Sequence, residues 1–271
     1  ARTPLEDLLV ETPTRTLTAR PRVLTDPAGA VPVDWVLVCT KTYDIDSTRP
    51  WLDRLMGEHT RVAIVQNGVE HVQLFRHLVP AERLVPVMIN LPASRSAPGR
   101  IVQSGRGIIA VPAGQNGEDF AALFAATEIE AAAHEDFLSQ AWIKLTGNSS
   151  SIVPTLTLRA TGPVWNAELE RIVRGVVEEC AAVGRAEGAI IPQSVVEDTV
   201  NRARNTREGA LSGSFHADRL AGHKMEIDAR NGIIVRLGRK HGIATPMNFM
   251  LTTLLDASAS PWVGAAKRAQ A

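Results

Sequence analysis

Two short apolar runs in the first quarter of the chain restrict its fold more than any other feature. Val36-Leu37-Val38-Cys39 follows Asp34, and Arg61-Val62-Ala63-Ile64-Val65 comes after one intervening stretch that carries Trp51, Leu52 and Leu55 at helix spacing. The runs are unbroken rather than alternating and too short for buried helices, which is the pattern of parallel strands covered on both faces. Residues 69–78 read as a further helix and residues 84–89 as a third strand. Strand, helix, strand, helix, strand at this spacing predicts a doubly wound α/β sheet, whose ligands bind at the carboxyl ends of the strands. Turn signals at Pro98-Gly99-Arg100, Gly105-Arg106-Gly107 and Ala113-Gly114 frame an expected hairpin over 101–111. A helix over 119–126 and a strand over 129–133 would close this half.

Beyond His134 the texture becomes helical. A helix starts at Phe137, and Pro154 should kink or interrupt its continuation. Residues 166–187 carry Leu169, Ile172, Val173, Val176, Val177, Cys180 and Val183 at intervals of three and four, the stripe of an amphipathic helix. Ser194 is expected to cap a helix running to Arg204, and both cysteines are expected to be buried thiols. Two more helices are expected over 225–240 and 245–255, the last with Thr245 as cap and Pro246 in its first turn. The division falls near residue 134, between an α/β half and an all-helical half.

Composition removes several function classes. The 29 basic and 29 acidic residues balance, against the basic excess that nucleic-acid and anionic-membrane surfaces need. Two distant cysteines exclude a disulfide scaffold or a zinc ribbon. No run of 18 apolar residues or leader pattern stands out, and a soluble cytoplasmic globular protein is the expectation. The seven histidines form no metal-binding pair, so no metal site is expected. The chain opens Ala-Arg-Thr-Pro without a methionine and enters what reads as the middle of a fold, so either the protein was processed or its true N-terminus precedes Ala1.

Four patches carry candidate chemistry, each with an ordinary structural alternative. Lys41 and Gln66-Asn67-Gly68 stand at the carboxyl ends of predicted strands, where a lysine is also a common exit residue and Asn-Gly a common turn. In Trp142-Ile143-Lys144-Leu145-Thr146-Gly147-Asn148, Lys144 and Asn148 share one helix face. A lysine among apolar neighbours has a lowered pKa and suits proton donation, although a snorkelling lysine looks the same in sequence. Ser214 opens a helix after a small-residue loop and Glu226 lies in the first turns of another, positions that also suit a cap and a dipole-favoured acid.

Taken in order, these segments resemble the ketopantoate reductase (2-dehydropantoate 2-reductase) family over nearly the whole chain. The resemblance is carried by Asp34–Lys41, Gln66-Asn67-Gly68, Gly99-Arg-Ile-Val, Trp142–Asn148, Ser214-Phe-His-Ala-Asp218, Met225-Glu226-Ile-Asp228 and Thr245-Pro246-Met-Asn248. It implies a Rossmann-type dinucleotide-binding domain over 1–134 and a helical substrate and catalytic domain over 135–271, with the reacting groups at a cleft. It also implies NADPH as cofactor and a small 2-oxo acid as substrate, with a homodimer as the one assembly considered and oligomeric state otherwise undetermined by the sequence. By position, Lys144 matches the proton donor, Glu226 the acid beside the nascent hydroxyl, and Ser214 and Asn148 substrate-binding groups. Lys41 and Asn67 match positions lining the cofactor cleft, and Arg2 the cation for a 2′-phosphate. Departures are the missing glycine-rich loop, Ile152 or Val153 where a second asparagine is usual, and Leu211 where another is common. Two further readings therefore stand beside ketopantoate reduction: a reductase of a more apolar 2-oxo acid, and a dinucleotide-binding protein without turnover.

Overall fold

Residues 5–210 and 213–259 are described by the computed structural model, and they divide into two units, the first ending at Phe137 and the second starting at Leu138. The first unit runs through β1 (Leu8–Glu11), β2 (Thr16–Ala19), β3 (Trp35–Val38), α1 (Arg49–Leu55), β4 (Arg61–Ile64), α2 (His71–Phe75), β5 (Leu84–Pro86), β6 (Met88–Asn90), β7 (Ala93–Ala97), β8 (Arg100–Gln103), β9 (Ile108–Pro112), α3 (Gln115–Ala122) and β10 (Glu130–His134). Strands β3, β4 and β5 form a parallel sheet with β4 in the middle. Strand alternation explains its depth. Val62 and Ile64 point into one core with Leu52, Phe75 and Val79, and Ala63 points into a second with Val85, Ile109 and Phe120. Each valine or isoleucine so buried stabilises the unit by about 1.5–3 kcal/mol.

The α/β class expected from the apolar runs is the one observed. Burial on both faces holds for β4 but not for β3, where Leu37 is 45% exposed. Cys39, at the end of that edge strand, is exposed as well, against the expectation of two buried thiols; Cys180 is buried. The hairpin expected over 101–111 does not form. Strand β8 pairs with β1 and β7, whereas β9 pairs with β6 and β10 in a different sheet. The turn that does reverse the chain joins β7 to β8 at Pro98-Gly99, with Gly99 at φ 71. In the same way, the single strand expected over 84–89 divides at Val87 between two sheets. The helix expected over 69–78 is confined to α2, and that expected over 119–126 begins earlier, as α3.

The second unit is helical: α4 (Phe137–Ser149), α5 (Ile152–Thr157), α6 (Ala167–Ala186), α7 (Gln193–Arg204), α8 (Ser214–Leu220), a π-helical turn (Asp228–Gly232), α9 (Ile233–His241) and α10 (Pro246–Ala259). The stripe of α6 is its core face, with Val173, Val176, Val177, Cys180 and Val183 fully buried. Asn166 caps it, its side chain accepting from Leu169 N at 2.9 Å. Gly184 sets α6 tight against α4, because a Cβ there would lie 2.8 Å from Cε3 of Trp142. The break between α4 and α5 comes just before Pro154, which sits in the first turn of α5, where a missing N–H is tolerated.

Two helix readings are corrected. Ser194 lies inside α7, whose cap position is Pro192, so proline geometry rather than a serine side chain starts the helix. The helix expected over 225–240 starts only after Glu226, which therefore precedes the helix rather than lying in its first turns, and it opens with the π turn at Asp228–Gly232. At the start of α10, beyond Thr245, the N–H groups of Met247 and Asn248 donate to the Glu179 carboxylate of α6 at 2.8 and 2.9 Å. A carboxylate from another helix thus satisfies the donors that a helix N-terminus leaves open.

Candidate active site

Two groups of sequence-predicted residues are found, one in each unit. In the first unit, Lys41 follows β3 and Asn67 follows β4, both partly buried at the carboxyl edge of the parallel sheet. Between them Gln66 is buried. Its Nε2 donates to the Thr40 carbonyl at 2.9 Å and to Thr40 Oγ1 at 3.1 Å, while its backbone carbonyl accepts from the His71 ring at 3.0 Å. The amide is thereby held in one orientation, and its Oε1 is buried with no hydrogen-bond partner among the described residues. An orphaned acceptor at this edge fits the hydroxyl or amide donors of a dinucleotide. Arg2, the candidate for a 2′-phosphate, lies outside the described residues, as does Leu211.

In the second unit, α4 turns Trp142, Leu145, Thr146 and Ser149 into the core. Lys144 and Asn148 are left partly buried on a different face. Glu226, just before the π turn, is only 6% exposed. Lys144 and Glu226 are near enough that the carboxylate acts on the ammonium. Desolvation lowers the Lys144 pKa most, the Arg230 cation lowers it further, and Glu226 opposes both, leaving it at about 8. Burial therefore prevails over the pairing with Glu226. Ser214 is exposed and is the first residue of α8, after Gly213 at φ 95. The structure thus brings Lys144, Asn148 and Glu226 into one neighbourhood through Arg230, whose guanidinium lies 5.1 Å from the ring of Phe215, the residue after Ser214.

Arg230 and Asn231 are the residues that sequence reasoning missed. Arg230 is 3% exposed, and its Nη2 donates to the Asn148 carbonyl at 3.2 Å and to Ser151 Oγ at 2.9 Å. The signal that could have found it was an arginine in register with Ile233, Ile234 and Leu237, all buried. A cation on an apolar face needs a partner, and Glu226 stands four residues earlier. Ile152 and Val153, which replace an expected amide, are packed in the core. Among the described residues no cluster of His, Cys, Asp and Glu could hold a metal, and no helix is long and apolar enough to cross a membrane.

Comparison with known proteins places these features in a lineage. The model of the family described as ketopantoate reductase PanE/ApbA matches residues 5–116, and that of its C-terminal domain matches residues 136–259. The 2-dehydropantoate 2-reductase of Caulobacter vibrioides is 52% identical over 258 residues, covering 95% of this chain and 89% of that protein. The protein of the same name from Mycobacterium tuberculosis is 36% identical, with 84% and 77% covered. A crystal structure of a PanE/ApbA family ketopantoate reductase from Ralstonia eutropha aligns with TM-score 0.83 at 28% identity, over 93% of this chain and 84% of that one. On both domain matches and the extent of this identity, the chain belongs to the ketopantoate reductase PanE/ApbA family.

Proposed function

We propose that this chain reduces 2-dehydropantoate to pantoate with NADPH, and that Lys144 is the group that protonates the ketone oxygen. The observation that carries the reading is a partly buried lysine coupled to a buried carboxylate, in a chain 52% identical to a 2-dehydropantoate 2-reductase. NADPH, when bound, supplies the hydride that adds to the carbonyl carbon. As the carbon–oxygen π bond opens, its electron pair moves to oxygen, where Lys144 Nζ stabilises the growing charge and gives up a proton. Glu226 orients that ammonium and accepts a hydrogen bond from the new hydroxyl. The Ser214 hydroxyl and the Asn148 amide hold the substrate's carboxylate and hydroxyl oxygens. Lys41, Asn67 and Gln66 Oε1 would hold the cofactor at the carboxyl edge of the sheet.

The alternatives gain no support. A pocket made more apolar by Ile152 and Val153 is not indicated, because both side chains lie in the core. A binding protein without turnover would need neither Lys144 nor Glu226. The direct test is NADPH oxidation by the purified protein with 2-dehydropantoate and with a panel of 2-oxo acids. Turnover confined to another 2-oxo acid would replace the substrate assignment, and NADPH binding without turnover on any of them would replace the enzyme assignment.

The Lys144 pKa also fixes the direction of the pH dependence. Reduction needs the protonated amine, so kcat/KM for 2-dehydropantoate should be level below about pH 8 and fall tenfold per pH unit above it, as the free enzyme loses the Lys144 proton. Oxidation of pantoate needs the neutral amine and should show the opposite limb. A reduction rate still level at pH 10, with chemistry limiting, would remove Lys144 as donor.

A further inference from the structure

The end of α4 is fastened by two consecutive side chains of the π turn. Arg230 Nη2 donates to the Asn148 carbonyl, and Asn231 Nδ2 donates to the Ser149 carbonyl at 3.0 Å. These carbonyls belong to the last turn of a helix, which carries the negative end of the helix dipole, and the Asn148 carbonyl also accepts from Ser151 N at 3.1 Å and Ser151 Oγ at 2.7 Å. A buried cation is well placed there. The π turn widens the helix at this point, and such turns often occur at functional sites. Arg230 has more than this one neighbour. Its guanidinium lies over the Phe215 ring at the start of α8, Ser151 accepts from it after α4, and Glu226 and Asp218 act on it as anions. Its Nε remains buried without a hydrogen-bond partner among the described residues.

We propose that Arg230 is a positioning residue of the active site, a permanent buried cation that fixes the Lys144-bearing helix and shares Glu226 with Lys144. This rests on the assignment of Lys144 as proton donor. With Glu226 serving Lys144 alone, the ion pair would hold the ammonium's proton firmly. Arg230 divides that attraction and adds like-charge repulsion, so the proton is released more readily to a developing alkoxide. The charges acting on Lys144 from the neighbouring elements are Glu226 and Arg230, and those acting on Arg230 are Glu226 and Asp218. Even with its own pKa brought down to about 10 by burial, Arg230 stays charged where the enzyme would work.

The experiment tracks the Lys144 titration directly, by NMR of protein labelled with 13C at the lysine ε carbon. The chain has only five lysines, and the variant K144R assigns the signal. The wild type should titrate near 8, and R230Q should titrate about one pH unit higher, because the repelling charge is gone. R230K keeps the charge but not the reach to Asn148 and Ser151. Its midpoint should stay near the wild-type value while KM rises several-fold. An unmoved midpoint in R230Q, or an upward shift in R230K as large as that expected for R230Q, overturns the proposal; the R230K arm decides it if R230Q does not fold. Because the titration midpoint, unlike KM, needs no turnover, its failure is distinct from failure of the 2-dehydropantoate assay, which bears on the functional reading.

Discussion

Replacing Lys144 with alanine should lower kcat for 2-dehydropantoate reduction by about 100-fold to 10,000-fold, the range that a positioned acid contributes. The size of the effect comes from where the proton must originate. Hydride addition leaves a strongly basic alkoxide unless a donor acts in concert, and Lys144, with a pKa near 8, is matched to neutral pH. Alanine also removes the positive charge, so K144R separates the two contributions. Arginine keeps a charge but holds its proton far more tightly than lysine at neutral pH. K144R should therefore remain within about tenfold of K144A, and neither variant should retain the limb near pH 8. NADPH affinity and the near-ultraviolet spectrum report whether each variant is folded. A K144A rate within threefold of wild type would take Lys144 out of the mechanism. Full recovery in K144R would make its role electrostatic rather than proton transfer.

How much of this site can be read from sequence depends on which interactions define each element. Helix α6 was legible because its stripe and its Asn166 cap are local, within one turn or a few turns of chain. Strand β4 was legible because both of its faces are buried, leaving an unbroken apolar run. The hairpin formed by β1 and β2 was not read, since Thr16–Ala19 is exposed throughout and leaves no apolar period. The 101–111 hairpin failed for a different reason. Two strand-like runs around a Gly-Arg-Gly turn satisfy the local rule, yet β8 folds back on β7 before it and onto the distant β1, while β9 joins β6 and β10 in another sheet. Lys144, Asn148 and Glu226 were visible as a motif. Arg230 was not, because a π turn has no distinct composition and shifts the register on which face assignments depend.

Asn248→Leu should destabilise the helical unit by about 3 kcal/mol, more than most single substitutions. Asn248 has no exposed surface. Its Nδ2 donates to Glu179 Oε2 at 2.7 Å and to the Val176 carbonyl at 3.1 Å, and its Oδ1 accepts from Asn231 Nδ2 at 2.9 Å. Leucine has nearly the same size, so packing changes little and the polar loss dominates. Asn231, already buried with Oδ1 lacking a partner among the described residues, would lose one of the two acceptors its Nδ2 uses. Each buried group left short of a partner costs about 1–3 kcal/mol. Urea unfolding should show the loss in the transition of the second unit, tracked by hydrogen exchange in α10, because a chain of two units need not unfold in one step. Asn201→Leu, on the exposed side of α7, should change stability by less than about 0.5 kcal/mol and serves as the control. The consequence reaches catalysis through chain connectivity, since Asn231 comes directly after Arg230 and the two close the end of the helix that bears Lys144. N248L should accordingly lower kcat at temperatures where the unit is still folded. A stability loss below about 1 kcal/mol together with unchanged kcat would mean that Arg230 holds this helix end without help from the asparagine chain.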